Sequence, residues 1–251
     1  MKNVETRGLV LFSRHYREQD KLVKIFTERF GKRMFFVKNA GKSRFASSLQ
    51  NFTQLELLGK INDDGLSFIS DISEAKPYQF INSDIFAQAY ASYLVGLSDV
   101  ALPDNHYDAP LYGFLMKSLD LIEEKIDMVV VTFIFELQVM SRFGTQLDFG
   151  QCVFCHRKDL PMDFSYKFNG CLCRNHFDED MKRSHLDPNV IFLCYSFMAM
   201  DLEKLPSINL SDDMKKKIRV FVDALYDHYI GVQIKAKKFI DGLDGWADIM
   251  R

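Results

Sequence analysis

Long apolar runs are missing from this 251-residue sequence. The most apolar stretch, Met128 to Met140, is interrupted by Glu136 and is shorter than the roughly 20 residues that a membrane-spanning helix needs. The first residues carry scattered charges where a secretory signal peptide would have its apolar core. We therefore expect a protein that stays in the cytoplasm and has no contact with a membrane.

Catalytic motifs are also missing. The sequence contains neither an HExxH motif nor an H-x-E motif followed by P-C-x-x-C, which are two common arrangements of catalytic zinc. Gly41-Lys42-Ser43 imitates the end of a Walker A loop, but the first glycine of that motif would fall at Phe36. The sequence therefore predicts a protein that is not an enzyme.

Charge is nearly balanced over the whole chain but unevenly distributed along it. The formal net charge is −2, whereas residues 1–44 carry twelve basic side chains and four acidic ones. A local excess of positive charge is typical of a surface that meets a polyanion. The N-terminal region is therefore the candidate nucleic-acid-binding part.

Residues 1–78 are predicted to form a small antiparallel β domain. Short runs rich in β-forming residues alternate with turn residues, and Asn62-Asp63-Asp64-Gly65 has the composition of a hairpin loop. Residues 20–30 fit a helix or a strand, and we favour a strand. The other predicted strands are Gly8–Phe12, Arg33–Lys38, Phe52–Ile61 and Leu66–Ile72. Five strands in about seventy residues fit a small barrel such as an OB-fold.

Residues 79–251 are predicted to be helical. Ser83 and Asp84 are both suited to cap a helix that runs to about Ala101, and Asp108 is suited to cap another that runs to about Lys125. A third helix should run from near Asp127 to Gly144. Residues 188–205 and 212–240 predict two or three more helices. The expected fold class is α+β: an N-terminal antiparallel β-barrel (OB-fold) followed by an all-helical domain that carries a zinc-knuckle insert at about 149–180.

The insert is marked by its cysteines. A C-x2-C pair and a C-x2-H pair are separated by seventeen residues, which is the spacing of a tetrahedral structural zinc site. The predicted ligands are Cys152, Cys155, Cys173 and His176, with Cys171 as a substitute ligand. His156 follows the first pair, where such turns need a left-handed residue, a conformation that histidine tolerates better than most residues.

Two other interpretations of the cysteines are weaker. A redox C-x-x-C would be expected to open a helix after a strand, and the local pattern does not predict that arrangement. A metal-dependent nuclease could recruit Asp148, Asp159 and Asp163, but these are predicted to be loop residues rather than a paired carboxylate site.

Residues 32–45 mix cations with aromatic side chains and a glycine turn. Phosphates attract cations and unpaired bases stack on aromatic rings, so this mixture suits single strands. A charge run is also compatible with a merely solvated face, and Phe35 or Phe36 with the core. The two interpretations remain open on this segment alone.

Segments spread through the chain resemble the RecO family of recombination mediators. The insert is similar to that family's zinc finger, with His176 where a cysteine is usual and His156 where a glycine is usual. The segments in the β domain are Gly8-Leu9-Val10-Leu11, Asp20-Lys21-Leu22, Phe26-Thr27, Phe30-Gly31-Lys32, Lys38-Asn39-Ala40-Gly41-Lys42-Ser43, Leu49-Gln50-Asn51-Phe52-Thr53 and Leu55-Glu56-Leu57.

The resemblance implies an OB-fold that binds single- and double-stranded DNA and anneals complementary strands. It further implies contact with the acidic tail of the single-strand-binding protein, and cooperation with RecR to load RecA. Charge placement makes Arg14, Arg33, Lys38, Lys42 and Arg44 the candidate DNA contacts. Arg142 and Lys215 are candidate cations for the tail. A zinc-stabilised scaffold for an acidic protein partner is the alternative function.

Overall fold

The computed structural model describes residues 3–205 and 208–249, with side chains up to residue 242. The chain forms two compact units. One contains the residues up to Met128 together with those from Ile234 onward, and the other contains Val129–Gln233. The boundary that the sequence suggested at residue 78 lies inside the first unit, between its sheet and its helices, and stays a prediction.

A five-stranded antiparallel sheet opens the first unit, in the spatial order β3-β2-β1-β4-β5. Its strands are β1 Asn3–Tyr16, β2 Asp20–Thr27, β3 Gly31–Val37, β4 Thr53–Lys60 and β5 Phe68–Pro77. The Phe36 amide donates to the Ser67 carbonyl at 2.9 Å, and the Ser67 amide donates to the Met34 carbonyl at 2.8 Å. This parallel bridge closes the sheet into a barrel, which confirms the predicted fold class.

Strand β2 shows how the ambiguous segment is decided. Val23 pairs with Phe35 and Ile25 with Arg33 in the register of β2 and β3. Val23, Ile25 and Phe35 are fully buried in the barrel core, together with Val10 and Leu55. Alternate residues of a strand share one face, so the strand interpretation places both β-branched residues inside.

The hairpin between β2 and β3 depends on one glycine. Gly31 has a φ of +70°, in the left-handed region, and an added Cβ would lie 1.8 Å from the carbonyl oxygen of His106. The Thr27 hydroxyl donates to the Gly31 carbonyl and accepts from the Phe30 amide. A side chain at residue 31 would therefore disturb both the turn and the loop that packs on it.

The helices of the first unit are α1 Gln79–Ser83, α2 Ile85–Ala101, α3 Ala109–Glu123 and α7 Lys235–Ile249. The predicted caps are confirmed: Asp84 accepts from the Ala87 amide at the start of α2, and Asp108 accepts from the Leu111 amide at the start of α3. Helix α7 packs against α2, where Gly96 leaves room for Ile234.

The second unit contains α4 Met128–Val139, a hairpin of β6 Met162–Ser165 and β7 Gly170–Cys173, α5 Pro188–Met198 and α6 Asp212–Tyr229. A 3-10 turn continues α4 to Gly144, whose φ of 79° ends it as predicted. The alternation of residues 164–168 predicts a hairpin strand there, whereas β6 ends at Ser165. Residues 166–169 instead form the turn, where Asn169 adopts a φ of 52°.

Two findings complete the fold. Within the described part of the chain, every helix is too short or too polar to span a bilayer. Near Gly231, whose φ is 66°, the helical stretch from residue 212 divides into α6 and α7. The described residues after the insert therefore contain three α-helices, where the sequence predicted two or three.

Candidate metal centre and nucleic-acid interface

Four metal-ligating side chains converge at one end of the hairpin. The ligand atoms of Cys152, Cys155, Cys173 and His176 all lie within 4.8 Å of one another. Among the described residues, this is the one such group of three or more. The two local spacings bring each pair together, and the β6–β7 hairpin brings the pairs to one point.

The separations fit a tetrahedral ion. Cys155 Sγ lies 3.7 Å from Cys173 Sγ, while His176 Nδ1 lies 3.5 Å from Cys152 Sγ and 3.4 Å from Cys173 Sγ. Bonds of about 2.3 Å to sulfur and about 2.0 Å to nitrogen in a tetrahedron place two sulfurs about 3.8 Å apart and sulfur about 3.5 Å from nitrogen. The cluster could therefore hold one metal ion.

The backbone of the first pair forms the turn that this chemistry needs. The His156 amide donates to the Cys152 carbonyl at 2.9 Å, and the Cys152 amide donates to the Arg157 carbonyl at 3.0 Å. His156 has a φ of 58°, the left-handed conformation expected from the sequence. Burial raises the pKa of the Cys152 thiol, but hydrogen bonds with the backbone of Cys173, Cys155 and Phe154 outweigh it and lower that pKa to about 6. The thiolate is the form that binds metal.

Cys171 lies beside the group of four and not in it. Its carbonyl accepts from the Val153 amide, which ties the first pair to β7, while its side chain is fully buried. Burial raises the pKa of the Cys171 thiol far above its ordinary value and raises that of Cys194 to about 12. Both thiols therefore stay protonated in this fold.

The three carboxylates considered for a nuclease site are bound by other groups of the protein. Asp163 is a buried residue of β6, where it accepts from the His185 and Leu186 amides and pairs with Arg183 at 3.0 Å. Its expected loop position is therefore wrong, because the hairpin begins one residue before it. Asp159 pairs with Arg157, which holds the pKa of Asp159 at about 2. Asp148 accepts from the Gly150 amide and from Gln151.

The barrel neutralises several of its own cations. Lys32 has a fully buried side chain that pairs with Asp99 at 2.8 Å, and Lys24 pairs with Asp99 and Asp104 at 2.5 and 2.8 Å. Arg33 is also buried, and it donates to the Phe30 and Asn62 carbonyls and pairs with Asp63. The positive charge available at the surface is therefore smaller than the sequence count suggests.

Four of the five predicted DNA contacts are exposed. Arg14 is on β1, Lys38 follows β3, and Lys42 ends a 3-10 turn in the loop before β4. Arg44 pairs with Asp71 at 3.0 Å, and its guanidinium lies 4.6 Å from the centre of the Phe45 ring. Arg33 differs from these four because its charge is buried and paired.

A row of aromatic rings on the barrel exterior was missed by sequence reasoning. The Phe36 ring centre lies 6.2 Å from that of Tyr16 and 6.3 Å from that of Phe68, both in edge-on contacts. Tyr16 and Phe68 are about 40% exposed and Phe36 is half-buried. Leu22 on β2 pairs with Arg14 on β1 and with Phe36 on β3, so Arg14 lies on the same face of the sheet as Phe36. The alternation of side chains along a strand could have identified Phe36 as an outward-facing ring, because Phe36 lies between the core residues Phe35 and Val37.

Sequence comparisons with known proteins give matches to both parts of the chain. The family model "Recombination protein O N terminal" matches residues 1–78, and "Recombination protein O C terminal" matches residues 82–238. The chain is 60% identical, over the full length of both chains, to the DNA repair protein RecO of Lactococcus lactis subsp. lactis (strain IL1403). It is 51% identical to the protein of that name from Streptococcus suis (strain 05ZYH33), covering all of this chain and 96% of the relative. The Streptococcus thermophilus (strain LMD-9) protein is 52% identical, covering all of this chain and 97% of the relative.

Proposed function

Because the chain belongs to the RecO family of DNA repair proteins, we propose that it is a recombination mediator that anneals complementary single strands. The family consists of mediators and not of enzymes, and no step of covalent chemistry is required. In this proposal the chain binds single- and double-stranded DNA in the cytoplasm, at the nucleoid. With RecR it helps to load RecA onto strands coated with the single-strand-binding protein.

The aromatic row on the barrel carries this proposal. Bases of a single strand expose their flat faces, and they stack on rings such as Tyr16, Phe36 and Phe68 regardless of sequence. Exposed cations at the edge of such a row attract the phosphates between those bases. Arg14, Lys38, Lys42 and Arg44 supply these cations, while Arg33 supports the barrel loop beside them.

Zinc is the metal that best suits the cluster in the second unit. Three sulfurs and one imidazole nitrogen form a closed tetrahedral shell, typical of structural zinc and without an open position for a substrate. Cys152, Cys155, Cys173 and His176 would hold the ion, which would supply a cross-link between the two pairs. Cys171 would replace a ligand only after a rearrangement of β7.

The protein partners follow from the family. The acidic tail of the single-strand-binding protein requires an apolar contact with a cation beside it. Arg142, in the turn after α4, and Lys215, in the first turn of α6, are the proposed cations.

Strand annealing tests the proposed function. Two complementary fluorescent oligonucleotides, bare or coated with the cognate single-strand-binding protein, should anneal faster when the protein is added. The K38A/K42A/R44A variant should anneal more slowly, and its log-affinity for a single strand should depend less steeply on log salt, by about 2 units of slope. The control R29A/K76A/K125A removes the same charge from other exposed positions of the first unit.

Two outcomes would contradict parts of the proposal. Equal annealing by K38A/K42A/R44A and the control would remove the DNA path from this loop. No acceleration by the unmodified protein at any low salt concentration would favour the alternative, in which the basic barrel binds an acidic protein.

A further inference from the structure

An exposed phenylalanine ring, Phe154, and a half-buried one, Phe168, lie beside the metal cluster and take no part in the barrel site. Phe154 is 43% exposed although it is an apolar residue between two metal ligands. Its ring lies nearly parallel to the His176 imidazole, with 5.4 Å between centres and 19° between planes. It also meets the Phe168 ring edge-on at 4.9 Å. The ring is therefore fixed in place while nearly half of it faces solvent.

Three exposed cations lie on the segments that carry these rings and the metal ligands. Lys158 follows the first ligand pair, Lys167 is in the hairpin turn, and Arg174 follows Cys173. The Lys167 ammonium lies 4.6 Å from the centre of the Phe168 ring. We call Phe154, Phe168, Lys158, Lys167 and Arg174 the knuckle face.

Two acids close to this face in the sequence are already paired with other side chains. Asp159 is bound at both oxygens by Arg157, at 3.0 and 2.6 Å. Asp163 is buried and paired with Arg183. The Lys167 ammonium donates to the Glu179 carbonyl at 3.1 Å, a bond to a neutral group that leaves its positive charge in place.

We propose that the knuckle face is a second binding site for single-stranded nucleic acid. A base stacks on the Phe154–Phe168 pair, and the flanking phosphates lie against Lys167 and Arg174. The inference rests on the proposed function and deepens it. A chain with one strand site in each of its two units can hold two strands at once, which annealing requires.

The charge pattern favours nucleic acid over a protein partner. An apolar peptide would bury the rings and gain nothing from the exposed cations on the same segments, whereas a single strand offers a flat apolar face and a phosphate for each nucleotide. The fixed Phe154 ring also lowers the entropy that stacking costs, since it has no side-chain freedom left to lose.

Binding stoichiometry tests the second site. With an oligothymidine of about eight nucleotides, shorter than many single OB-fold footprints, the full chain loaded with one zinc ion should bind two strands at low salt. F154A/F168A should bind one, K38A/K42A/R44A should bind one, and the combined variant should bind none. These numbers apply at a concentration that just fills both sites of the unmodified chain, because F154A/F168A should bind the second strand about 5- to 100-fold more weakly. Measured zinc content confirms that each variant keeps its fold around the metal.

A charge variant and a ring control complete the test. K167Q/R174Q leaves both rings in place and should weaken the binding of the second strand. The slope of log affinity against log salt for that strand should be lower by about 1.4. Y107A/F192A removes two exposed rings elsewhere, each 64% exposed, and should still bind two strands. A photoreactive 5-iodouracil in the oligonucleotide should cross-link to Phe154 or Phe168.

The outcomes separate this inference from the proposed function. One strand bound by the unmodified chain, unchanged in F154A/F168A, overturns the second site and leaves the barrel site standing. If K38A/K42A/R44A binds two strands and F154A/F168A binds one, the knuckle face is supported as a strand site. The barrel loop is then contradicted as a strand site. Binding of an acidic peptide to the knuckle face without any cross-link to DNA would also overturn the inference.

Discussion

The barrel and the knuckle hairpin both present fixed aromatic rings, but they fix them by different means. In the barrel, a core that includes Val10, Val23 and Phe35 supports strands of seven to fourteen residues. The hairpin has strands of only four residues, β6 and β7, and the exposed Phe154 ring beside it lies between two metal ligands in the sequence. An apolar core tolerates many small changes, whereas a metal cross-link is present or absent. The barrel should therefore lose stability in small steps as residues are changed, whereas the hairpin should lose its structure in one step when the metal is lost.

Metal removal should give the largest difference between the two regions. Structural zinc contributes about 10–16 kcal/mol in zinc-finger peptides, more than a four-residue hairpin can replace. A strong chelator, or the Cys155→Ser variant, should abolish hydrogen-exchange protection at residues 152–176. The barrel amides should keep theirs. Protection of the hairpin that survives complete metal loss would show that packing alone holds it.

Arg219→Met should produce the next largest effect, confined to the second unit. The Arg219 guanidinium pairs at 2.8 and 2.5 Å with both oxygens of Glu136, which is fully buried. The variant removes this partner of the buried Glu136 carboxylate, which should cost about 3–5 kcal/mol of unfolding free energy. Urea unfolding followed by region-resolved hydrogen exchange measures this, and the double variant E136Q/R219M should recover part of the loss. A loss of equal size in the double variant would mean that packing, and not charge, is responsible.

Gly31→Ala tests the barrel in the same way. The new methyl group would meet the His106 carbonyl and force a left-handed alanine, which together should cost about 2–4 kcal/mol. Gly113→Ala is the matched control, because an added Cβ at that helical position meets no atom within 4 Å. Thermal unfolding should move in opposite directions for the two variants. A neutral Gly31→Ala would mean that the hairpin can shift away from the loop.

Lys24→Met should have a smaller effect that depends on pH. Burial lowers the pKa of Lys24, but hydrogen bonds to Asp104 and Asp99 outweigh it and raise that pKa above its ordinary value. The Lys24 contribution is therefore fully present below about pH 10 and lost as pH rises further. Burial raises the pKa of Asp104, but its bond to Lys24 outweighs this and lowers the pKa, so that contribution is present above about pH 4 and lost on acidification.

The measurement is barrel stability from pH 3 to 11. Because Asp104 is more than half exposed, Lys24→Met should cost about 1 kcal/mol between the two limits and less at either end. A cost that is the same at every pH would assign the effect to lost packing.

His156→Gly should have the smallest effect. Histidine tolerates the left-handed conformation at modest strain, and glycine removes that strain but adds entropy to the unfolded chain, so the two effects should nearly cancel, within about 0.5 kcal/mol. The concentration of chelator that removes half of the metal should hardly change. His156→Val should lower it clearly, since a β-branched residue resists this conformation. Equal behaviour of the two variants would mean that the turn does not limit metal retention.

Sequence reasoning succeeded where the determining contacts are local. The two caps Asp84 and Asp108, and the four side chains of the metal cluster, follow from spacings of three residues within each cap or pair. The same logic identified His156 as a left-handed residue. Local geometry leaves few alternatives at such positions.

Sequence reasoning was less informative where distant segments meet. Lys32 and Arg33 look alike in the basic run, and nothing near them reveals that Asp99, 67 residues after Lys32, neutralises one of them. The aromatic row depends on barrel closure, which brings Phe68 to Phe36. Such pairings require the register of the whole sheet. Charge counts along a sequence therefore overestimate the charge that a folded surface offers.

The return of α7 to the first unit has a consequence for biosynthesis. A ribosome releases the barrel and α2 early, but Ile234, which fills the space beside Gly96, emerges only after the entire second unit. Folding of the first unit is therefore delayed until that later segment arrives, and the nascent chain carries an open helix face in the meantime. An mRNA that is broken between the codons for α2 and Ile234 yields a barrel whose α2 keeps an uncovered apolar face. Chaperones and proteases act on such exposed surfaces.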